Sequence, residues 1–417
     1  MFGRIKNVEP RGAENVKLNK DISVRKLSCL QRYTSRGISG IIVEMKDAHT
    51  VVVGGGIIGL SIAWRLARAG RKVTVIEKGQ TGHEASRLAA GMLAASAEVG
   101  FEEFELYELC RNSLNVWPEY VRELEADSGM DVDYRSNGTL IVADDRDAAE
   151  ALRRGYAFQQ QHGYPVEWLN GSEALEVEPF LSPRIVAAVR ASEDHAVDNR
   201  MVLKALHASI LKLGGTILEH TEVLKLDMSG LDVSVQTIKD KPISASSVVL
   251  SAGPWSPQIE GIPHAWIPPV RPVKGQILEL KMEDPFRLQH VVRGPGAYLV
   301  PRTDGRLIVG ATSEEMGFDK RLTAGGVYKV LEGAWELVPG IYDQELLNAE
   351  VGLRPGSRDH QPIFGLTDDP RLYIATGHYR HGVVLSAVTA LESTKSILSG
   401  AESSEYAYFS PRRFTSS

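Results

Sequence analysis

The sequence predicts an α/β protein in which a parallel sheet is interleaved with an α+β part that carries an antiparallel sheet. A short β-branched run, Thr50–Val53, leads into the glycine-rich turn Gly54–Gly59, a pattern typical of a buried strand that ends at a tight bend. Apolar residues then recur at helical spacing up to Ala69, and a second β-branched run covers Val73–Ile76. A strand, a helix and a strand within about 30 residues predict a parallel βαβ unit.

The next elements follow from the same kinds of pattern. Apolar residues from Phe101 to Leu124 mark helical faces, and Pro118 among them predicts a helix break or a helix start. Short alternating pieces such as Gly138–Val142 predict strands between about residues 131 and 195. Met201–Leu213 predicts a helix that ends at the glycine pair after it.

The second half of the chain repeats the strand-to-turn arrangement. Ser247–Leu250 predicts a strand, which the turn Ser251–Ser256 follows. The runs Ala297–Val300 and Arg306–Val309 flank Asp304-Gly305, a pair that is typical of a β-hairpin.

Composition excludes several classes of protein. With 43% hydrophobic and 24% charged residues in 417, the chain falls in the ordinary globular range, and its length accommodates two domains. A net charge of −6 disfavours general binding to nucleic acid. No apolar stretch reaches the roughly 20 residues that a membrane-spanning helix needs. Cys29 and Cys110 form neither a disulfide framework nor a metal-binding spacing, so we expect no metal site and a cytoplasmic protein.

The first 44 residues differ from the rest of the chain. They hold nine Lys/Arg against four Asp/Glu, a net charge of +5, which leaves −11 for the remainder. They show no clear periodicity and no apolar signal-peptide core. We expect residues 1–44 to be a poorly ordered leader, with a transit peptide or a start site placed too early as alternatives, since Met45 immediately precedes the first strand.

The motif Gly54-x-Gly56-x-x-Gly59 predicts a dinucleotide site because a strand precedes it and a helix follows. Such glycines allow a tight turn, a close approach of the backbone to a pyrophosphate, and close packing of the helix. Glu77 lies 18 residues after Gly59, where a carboxylate accepts hydrogen bonds from a ribose. An acidic residue there favours FAD or NAD over NADP, and the glycines do not decide between those two.

Other segments resemble the FAD-dependent oxidases of the D-amino-acid oxidase superfamily, and specifically the glycine oxidases of thiamine biosynthesis. The resemblance extends over nearly everything from Met45 onward. Its segments are the Gly54 turn, Glu77-Lys78, Ser86 with Ala89–Met92, Ser251–Ser256, Arg271–Gln276, Val300–Arg302, Val309–Thr312, Gly352–Pro355 and Gly377–Gly382. It implies a glutathione-reductase-type, Rossmann-like FAD-binding domain interleaved with a substrate domain that carries an antiparallel sheet.

The resemblance also implies which residues hold the cofactor, a non-covalent FAD. Relatives that attach FAD covalently use a cysteine near the C-terminus, and this chain has none after Cys110. Gly377–Val383 is expected to close over the isoalloxazine ring. The cofactor-binding residues implied are Gly54, Gly56, Ile57, Ile58, Gly59, Glu77, Lys78, Ala85, Ser86, Ala90, Gly91, Met92, Val223, Gly377, His378, Tyr379, Arg380, His381, Gly382 and Val383.

For the substrate, the resemblance implies that Arg354 pairs with a carboxylate, assisted by Arg380 and by the hydroxyl of Tyr298. A planar guanidinium makes two parallel bonds to a carboxylate and so orients an amino acid. The structural alternative is that Arg354 is an ordinary ion-paired arginine close to Asp359. His378 and His381 invite a metal-binding or acid/base role. The alternative is that they are ordinary histidines, either solvated or part of the core.

Two positions depart from the family pattern. His381 stands where we expect an asparagine, which affects the expected substrate preference, and Ser313 stands where relatives carry larger apolar side chains. The second departure implies a changed pocket size.

The resemblance implies oxidation of glycine, and also of sarcosine or small D-amino acids, to an oxo acid, ammonia and H2O2 with O2 as the acceptor. Hydride is expected to move from Cα to the flavin, with no protein residue acting as acid or base. The alternatives are a sarcosine or N-methyl amino acid oxidase, a D-amino acid dehydrogenase with another acceptor, and a flavin-binding protein without catalysis. A homo-oligomer, specifically a homotetramer, is expected from the resemblance.

The expected domain boundaries follow from these segments. Residues 45–130, 196–260 and 346–400 are assigned to the FAD-binding domain, and residues 131–195 and 261–345 to the substrate domain. Residues 401–417 are expected to form a C-terminal tail.

Overall fold

Helices and strands alternate along most of the chain in the computed structural model, which describes residues 48–98, 100, 103–239 and 241–415. The predicted leader, residues 1–44, and Cys29 lie outside the described residues. The helices are α1 (Ile57–Arg68), α2 (Phe104–Ser128), α3 (Arg146–Gln161), α4 (Gly171–Val177), α5 (Asn199–Lys212), α6 (Ala324–Leu337) and α7 (Gly382–Ser399). In the described part of the chain, none of them is long and apolar enough to cross a membrane.

The strands of the first two-thirds of the chain are short. They are β1 (His49–Val53), β2 (Lys72–Ile76), β3 (Met92–Leu93), β4 (Thr139–Ala143), β5 (Val166–Asn170), β6 (Ala187–Ala191), β7 (His195–Ala196), β8 (Thr216–Leu218), β9 (Val223–Asp227), β10 (Val233–Thr237), β11 (Ile243–Ala245) and β12 (Ser247–Leu250). Two long strands occur later, and the set is β13 (Val270–Lys281), β14 (Val291–Arg293), β15 (Tyr298–Pro301), β16 (Arg306–Gly310), β17 (Glu345–Ser357), β18 (Ile363–Leu366) and β19 (Leu372–Thr376).

A six-stranded sheet of order β18-β19-β12-β1-β2-β8 contains the predicted βαβ unit. Its neighbours run parallel except β18 and β19. Val52 packs into a core with α1, α2, α5 and α7, whereas Val51 and Val53 belong to a second core that includes residues of β9 and β10. Val51, Val52 and Val53 are apolar in succession because both faces of the sheet are covered. The predicted parallel sheet is confirmed.

Helix α1 matches the predicted element closely, whereas α2 does not. Gly70, just beyond α1, has a φ of +81°, a conformation that favours glycine. The prediction that Pro118 breaks or starts a helix is wrong, because it lies inside α2. The neighbouring Trp117 and Tyr120 are fully buried, and the Tyr120 ring packs 5.0 Å from that of Trp64 in α1. This packing holds the helix together despite a cost of about 3 kcal/mol for an interior proline.

An eight-stranded sheet of order β17-β13-β16-β15-β14-β4-β6-β5 forms the second layer. Its neighbours are antiparallel except β14 and β4, which run parallel. Strands β15 and β16 form the predicted hairpin, with Gly305 at a φ of +92° in the turn. Helix α6 packs on this sheet and shares its apolar core. The α+β part with a largely antiparallel sheet is therefore confirmed.

The strand β17 crosses an expected boundary. Residues 346–400 were assigned to the FAD-binding domain, but β17 pairs with β13 from Val270↔Ser357 to Lys281↔Glu345 as the edge of the eight-stranded sheet. The strands β18 and β19 of the same segment lie in the six-stranded sheet. The domain boundaries themselves stay a prediction.

Candidate active site

A cavity of about 700 Å³ runs along the carboxyl ends of β1 and β2 and continues to the eight-stranded sheet. Ligands of open α/β folds bind at this edge of the parallel strands. The wall takes residues from the turn after β1, from residues 84–98, from the turn after β12, and from β13, β15 and β17. The cavity is therefore built from both sheets.

The glycine turn after β1 shows why glycine is required at two of its positions. Gly54 has a φ of +105°, and a Cβ there would overlap the backbone of Ser251. A Cβ on Gly59 would overlap the carbonyl oxygen of Gly54, so this glycine lets α1 approach the strand. At Gly56 a Cβ would meet only the Ser86 hydroxyl, at 3.2 Å, and Gly56 lines the cavity. The backbone is thus open to a ligand at the start of α1.

The Glu77 carboxylate holds this turn in place. Its Oε2 accepts a hydrogen bond from the Gly55 N–H at 2.8 Å, and its Oε1 accepts one from the Gly79 N–H at 2.9 Å. Each carboxylate oxygen keeps acceptor capacity for a ribose hydroxyl. Beside it, the Lys78 ammonium lies 3.5 Å from the centre of the Trp255 ring, a cation–π contact.

The segment from Ala85 to Met92 forms the wall next to the turn. The Ser86 hydroxyl accepts a hydrogen bond from the Ile57 N–H, the first of α1, at 2.9 Å. Gly91 has a φ of +74°, and a Cβ there would overlap the carbonyl oxygen of Val197. The buried Arg302 donates to the carbonyl oxygen of Ala90 at 2.6 Å, and burial lowers the pKa of Arg302 to about 10. Arg302 lies in the motif Val300–Arg302, whose pattern predicts no role for it, and in the structure it supports this wall.

The residues expected to bind the cofactor gather in the cavity wall, apart from Gly59 and Gly377, which lie behind it. Those that line it are Gly54, Gly56, Ile57, Ile58, Glu77, Lys78, Ala85, Ser86, Ala90, Gly91, Met92, Val223, His378, Tyr379, Arg380, His381, Gly382 and Val383. Gly377 has a φ of +72° and turns the chain after β19. Gly59 has the packing role described above, and the cofactor contacts expected for both glycines stay a prediction.

The two histidines of this wall are buried. Burial lowers the pKa of His378 to about 3, and its Nε2 lies 3.1 Å from the Thr389 hydroxyl. The pKa of His381 is also lowered by burial, and by the charge of Arg380. Both rings are therefore neutral at physiological pH. In the described part of the chain, no group of three His, Cys, Asp or Glu side chains is placed to hold a metal ion.

Arg354 and Tyr298 meet at the other end of the cavity. Arg354 Nη1 donates to the carbonyl oxygen of Thr312 at 3.1 Å. The alternative partner, Asp359, instead pairs with Arg413 at 2.8 Å. Burial raises the pKa of Tyr298, against the opposing effect of the Arg354 charge, so its hydroxyl stays protonated. Glycines make room for both side chains, since a Cβ on Gly275 would overlap Arg354 and one on Gly310 would overlap Tyr298.

Arg380 lies at the same end and, unlike Arg354, is engaged by acidic groups. Its Nη2 is 3.4 Å from Glu103 Oε2, and its Nε is 4.0 Å from Glu98 Oε2. Glu98 also pairs with Arg293, and both of these residues line the cavity. Sequence analysis missed this pair. The two residues are 195 positions apart, and neither belongs to a motif that would have marked it.

The cavity fits FAD on its own features. It has a glycine backbone surface at a helix N-terminus, a carboxylate beside it, and room for an extended ligand between the two sheets. The far end offers a guanidinium and a phenol hydroxyl, which match the carboxylate of a small substrate. The residues around Gly54 and Glu77 would hold the adenosine and pyrophosphate part, and residues 377–383 the ring.

Comparison with known proteins agrees with this geometry. The family described as DAO, FAD dependent oxidoreductase, matches residues 49–395. Glycine oxidase from Geobacillus kaustophilus is 35% identical over 346 residues, which cover 82% of this chain and 90% of that enzyme. The bifunctional protein ThiO/ThiG from Synechocystis is 33% identical over 376 residues, 88% of this chain and 54% of that protein.

Solved structures show the same likeness. The crystal structure of glycine oxidase from Geobacillus kaustophilus superposes with a TM-score of 0.82 at 33% sequence identity, covering 88% of this chain and 99% of that one. The family match spans both sheets and the whole cavity wall described above. The chain therefore belongs to the DAO family of FAD-dependent oxidoreductases.

Proposed function

We propose that the protein oxidises glycine to glyoxylate and ammonia, with O2 as the electron acceptor. The balanced reaction is glycine + O2 + H2O → glyoxylate + NH3 + H2O2. FAD, when bound, would supply the electron acceptor: it would take up the hydride from the amine-bearing carbon, which carries both electrons, and pass those two electrons to O2. Sarcosine and small D-amino acids, which also carry one carboxylate and one amine on the reacting carbon, are further candidate substrates.

The observation that carries the proposal is the Arg354 guanidinium in the cavity wall beside the Tyr298 hydroxyl. Arg354 is held by the carbonyl oxygen of Thr312 and is engaged by no carboxylate within the described ranges. In this proposal it forms two parallel hydrogen bonds to the substrate carboxylate, while Tyr298 donates a further one. Fixing the carboxylate places the amine-bearing carbon toward residues 377–383.

The two histidines of residues 377–383, the segment that faces the reacting carbon in this proposal, are neutral. The pKa of His378 is lowered to about 3, and that of His381 is lowered as well. Both rings are weaker bases than an ordinary histidine side chain, and we propose that neither serves as acid or base. The substrate amine instead gives its proton to solvent water as it enters the cavity, and the contribution of the chain is orientation and exclusion of water once the substrate is bound.

The cellular setting is part of the same proposal. The likeness to glycine oxidase and to ThiO/ThiG supports a role in supplying the thiazole branch of thiamine biosynthesis. We propose that the enzyme acts in the cytoplasm as a homo-oligomer, and that the three sequence segments assigned above to the FAD-binding domain, without β17, hold the cofactor.

Replacement of Arg354 tests the proposed carboxylate site. Arg354→Ala should keep FAD bound and raise the KM for glycine by roughly 10- to 100-fold, because hydrogen bonds to a charged group contribute about 1.5–3 kcal/mol. Arg354→Lys should restore part of the lost affinity for glycine, because lysine supplies a positive charge but cannot form the two parallel hydrogen bonds. Peroxide formation against glycine concentration measures both variants. An unchanged KM in Arg354→Ala would show that the carboxylate binds elsewhere.

A further inference from the structure

The substrate end of the cavity carries an unequal set of charges. Arg293, Arg354 and Arg380 supply three positive charges, whereas Glu98 and Glu103 supply two negative ones. Glu98 pairs with Arg293 through Oε1 and lies 4.0 Å from Arg380 through Oε2, while Glu103 lies 3.4 Å from Arg380. Arg354 takes part in none of these pairs. The group therefore has a surplus of one positive charge, and the surplus is located on Arg354.

Glu98 is the less exposed of the two acidic residues. Its side chain is 9% exposed, against 24% for Glu103 and 27% for Arg293. A carboxylate in such a site interacts strongly with its neighbours, because solvent screens it less than a surface charge. Glu98 thus interacts with two arginines at once, and its position decides whether they are available to a ligand.

The position of Glu98 is set by a buried carboxylate behind the wall. Asp194 is 1% exposed and accepts hydrogen bonds from three successive backbone N–H groups, those of Ala95, Ser96 and Ala97, at 3.0, 3.1 and 3.0 Å. Glu98 is the next residue in the chain. Asp194 is itself fixed, since β7 follows it directly and pairs with β3 just before the turn.

We propose that Glu98, held in place by Asp194, restricts the site to amines that carry a single carboxylate. Glu98 occupies the two arginines that would otherwise bind a second acidic group, and Arg354 is left for the first. This inference rests on the proposed function, because it takes Arg354 as the site of the substrate carboxylate. Glu98 is a specificity-determining residue here, and Asp194 is a positioning residue that acts through it.

The charge balance gives the physical reason. An amino acid whose amine has lost its proton carries one negative charge, which matches the surplus on Arg354. A second carboxylate would meet Glu98 at short range, and like charges repel each other in a poorly solvated site, where solvent screens them little. Removing the Glu98 charge frees Arg293 and part of Arg380, so a dicarboxylate then gains a partner.

The test compares binding of acetate and malonate to the FAD-loaded protein by calorimetry, which requires no turnover. The quantity of interest is the ratio of the malonate Kd to the acetate Kd. Glu98→Gln should lower this ratio about tenfold relative to wild type, since one close charge repulsion is replaced by an attraction. Asp194→Asn should lower it in the same direction by a smaller factor, because Glu98 remains but is less firmly placed.

Two controls separate this effect from a general change of charge. Glu105→Gln removes one exposed acidic charge from the first turn of α2 and should leave the ratio at its wild-type value. Adding Arg293→Gln to Glu98→Gln should return the ratio toward wild type, since the freed guanidinium is then absent. Bound FAD and circular dichroism establish that each variant is folded. If Asp194→Asn does not fold, Asp194→Glu, which shifts the anchor while keeping its charge, takes its place.

A ratio in Glu98→Gln within twofold of wild type would overturn the selectivity role of Glu98. A lowered ratio in Glu98→Gln with an unchanged ratio in the folded Asp194 variant would overturn the positioning role of Asp194. The proposed function fails separately, through wild-type protein that does not oxidise glycine or through Arg354→Ala that binds acetate as tightly as wild type.

Discussion

At the scale of single residues, the position of Arg354 depends on what faces it. Gly275 lies on the neighbouring strand β13, two residues from the register partner of Arg354, and a Cβ there would overlap the Arg354 guanidinium. Gly275→Ala should therefore displace the guanidinium and raise the KM for glycine by roughly tenfold, with FAD still bound. Peroxide formation against glycine concentration measures the effect.

The matched control is Gly155→Ala. Gly155 lies inside α3 with open space around it, so alanine should raise the free energy of unfolding by about 0.5–1 kcal/mol without changing the KM. A wild-type KM in Gly275→Ala would show that this glycine does not determine where Arg354 sits.

The raised pKa of Asp194 predicts how the free energy of unfolding changes with pH. Burial raises its pKa from 3.8 to about 7, although three backbone N–H groups oppose the shift. Between these two pH values the folded protein holds a proton that the unfolded chain has lost, so this group lowers the free energy of unfolding as pH rises from about 4 to 7. Asp194→Asn lacks the effect. The stability difference, wild type minus variant, should therefore be smaller at pH 8 than at pH 5.

Urea unfolding of both proteins at the two pH values measures this difference, and subtraction removes the titration of all other groups that the variants share. A stability difference that is equal at the two pH values, or larger at pH 8, would contradict the raised pKa of Asp194.

How much the sequence predicts also differs from residue to residue. Arg354 and Glu77 lie in local motifs, and the structure places both in the cavity wall. Arg293, Glu98 and Asp194 do not. Their roles come from contacts between segments about 100 to 195 positions apart. The spacing of residues along the chain does not predict such contacts.

At the scale of elements, the turn between β1 and α1 is a unit whose parts are closely fitted. A Cβ on Gly59 would overlap the Gly54 carbonyl oxygen and lie close to the Ser251 hydroxyl. Gly59→Ala should push α1 away from the strand and weaken FAD binding at least tenfold, because the backbone surface for the pyrophosphate is lost. Equilibrium dialysis or fluorescence of released flavin reports the Kd.

Gly155→Ala again serves as the control, since it adds the same methyl group to another helix without a close neighbour. FAD affinity in Gly59→Ala equal to that of the control would show that close approach of α1 to β1 is not needed for the cofactor.

Sequence patterns predict a helix, strand or turn well where interactions between residues close in the chain determine its conformation. The β1–α1–β2 unit and the hairpin of β15 and β16 carry their own signals, namely a glycine turn, helical periodicity and an Asp-Gly pair. Helix α2 does not, because the packing of Trp117 and Tyr120 against α1 decides the conformation around Pro118. Tertiary contacts of that kind override a local preference that is read from sequence alone.

At the scale of the whole molecule, the site exists only because two sheets meet. The six-stranded sheet contributes the glycine turn, and the eight-stranded sheet contributes Tyr298 and Arg354. The sequence predicts both layers but not how their strands pair. The parallel pairing of β4 with β14, for example, joins segments about 150 residues apart and breaks an otherwise antiparallel order. Loop closure over such distances leaves no local pattern.

The central claim is that this cavity oxidises glycine with FAD and passes the electrons to O2. The most direct measurement is anaerobic mixing of the FAD-loaded protein with glycine, sarcosine or D-alanine, followed by admission of air and a peroxide assay. The account predicts loss of the oxidised flavin absorbance with glycine, and its return with formation of H2O2 in air. If the absorbance returns only after a dye is added, and no peroxide forms, the electron acceptor is a compound other than O2. No loss of absorbance with any of the three amines would contradict the claim.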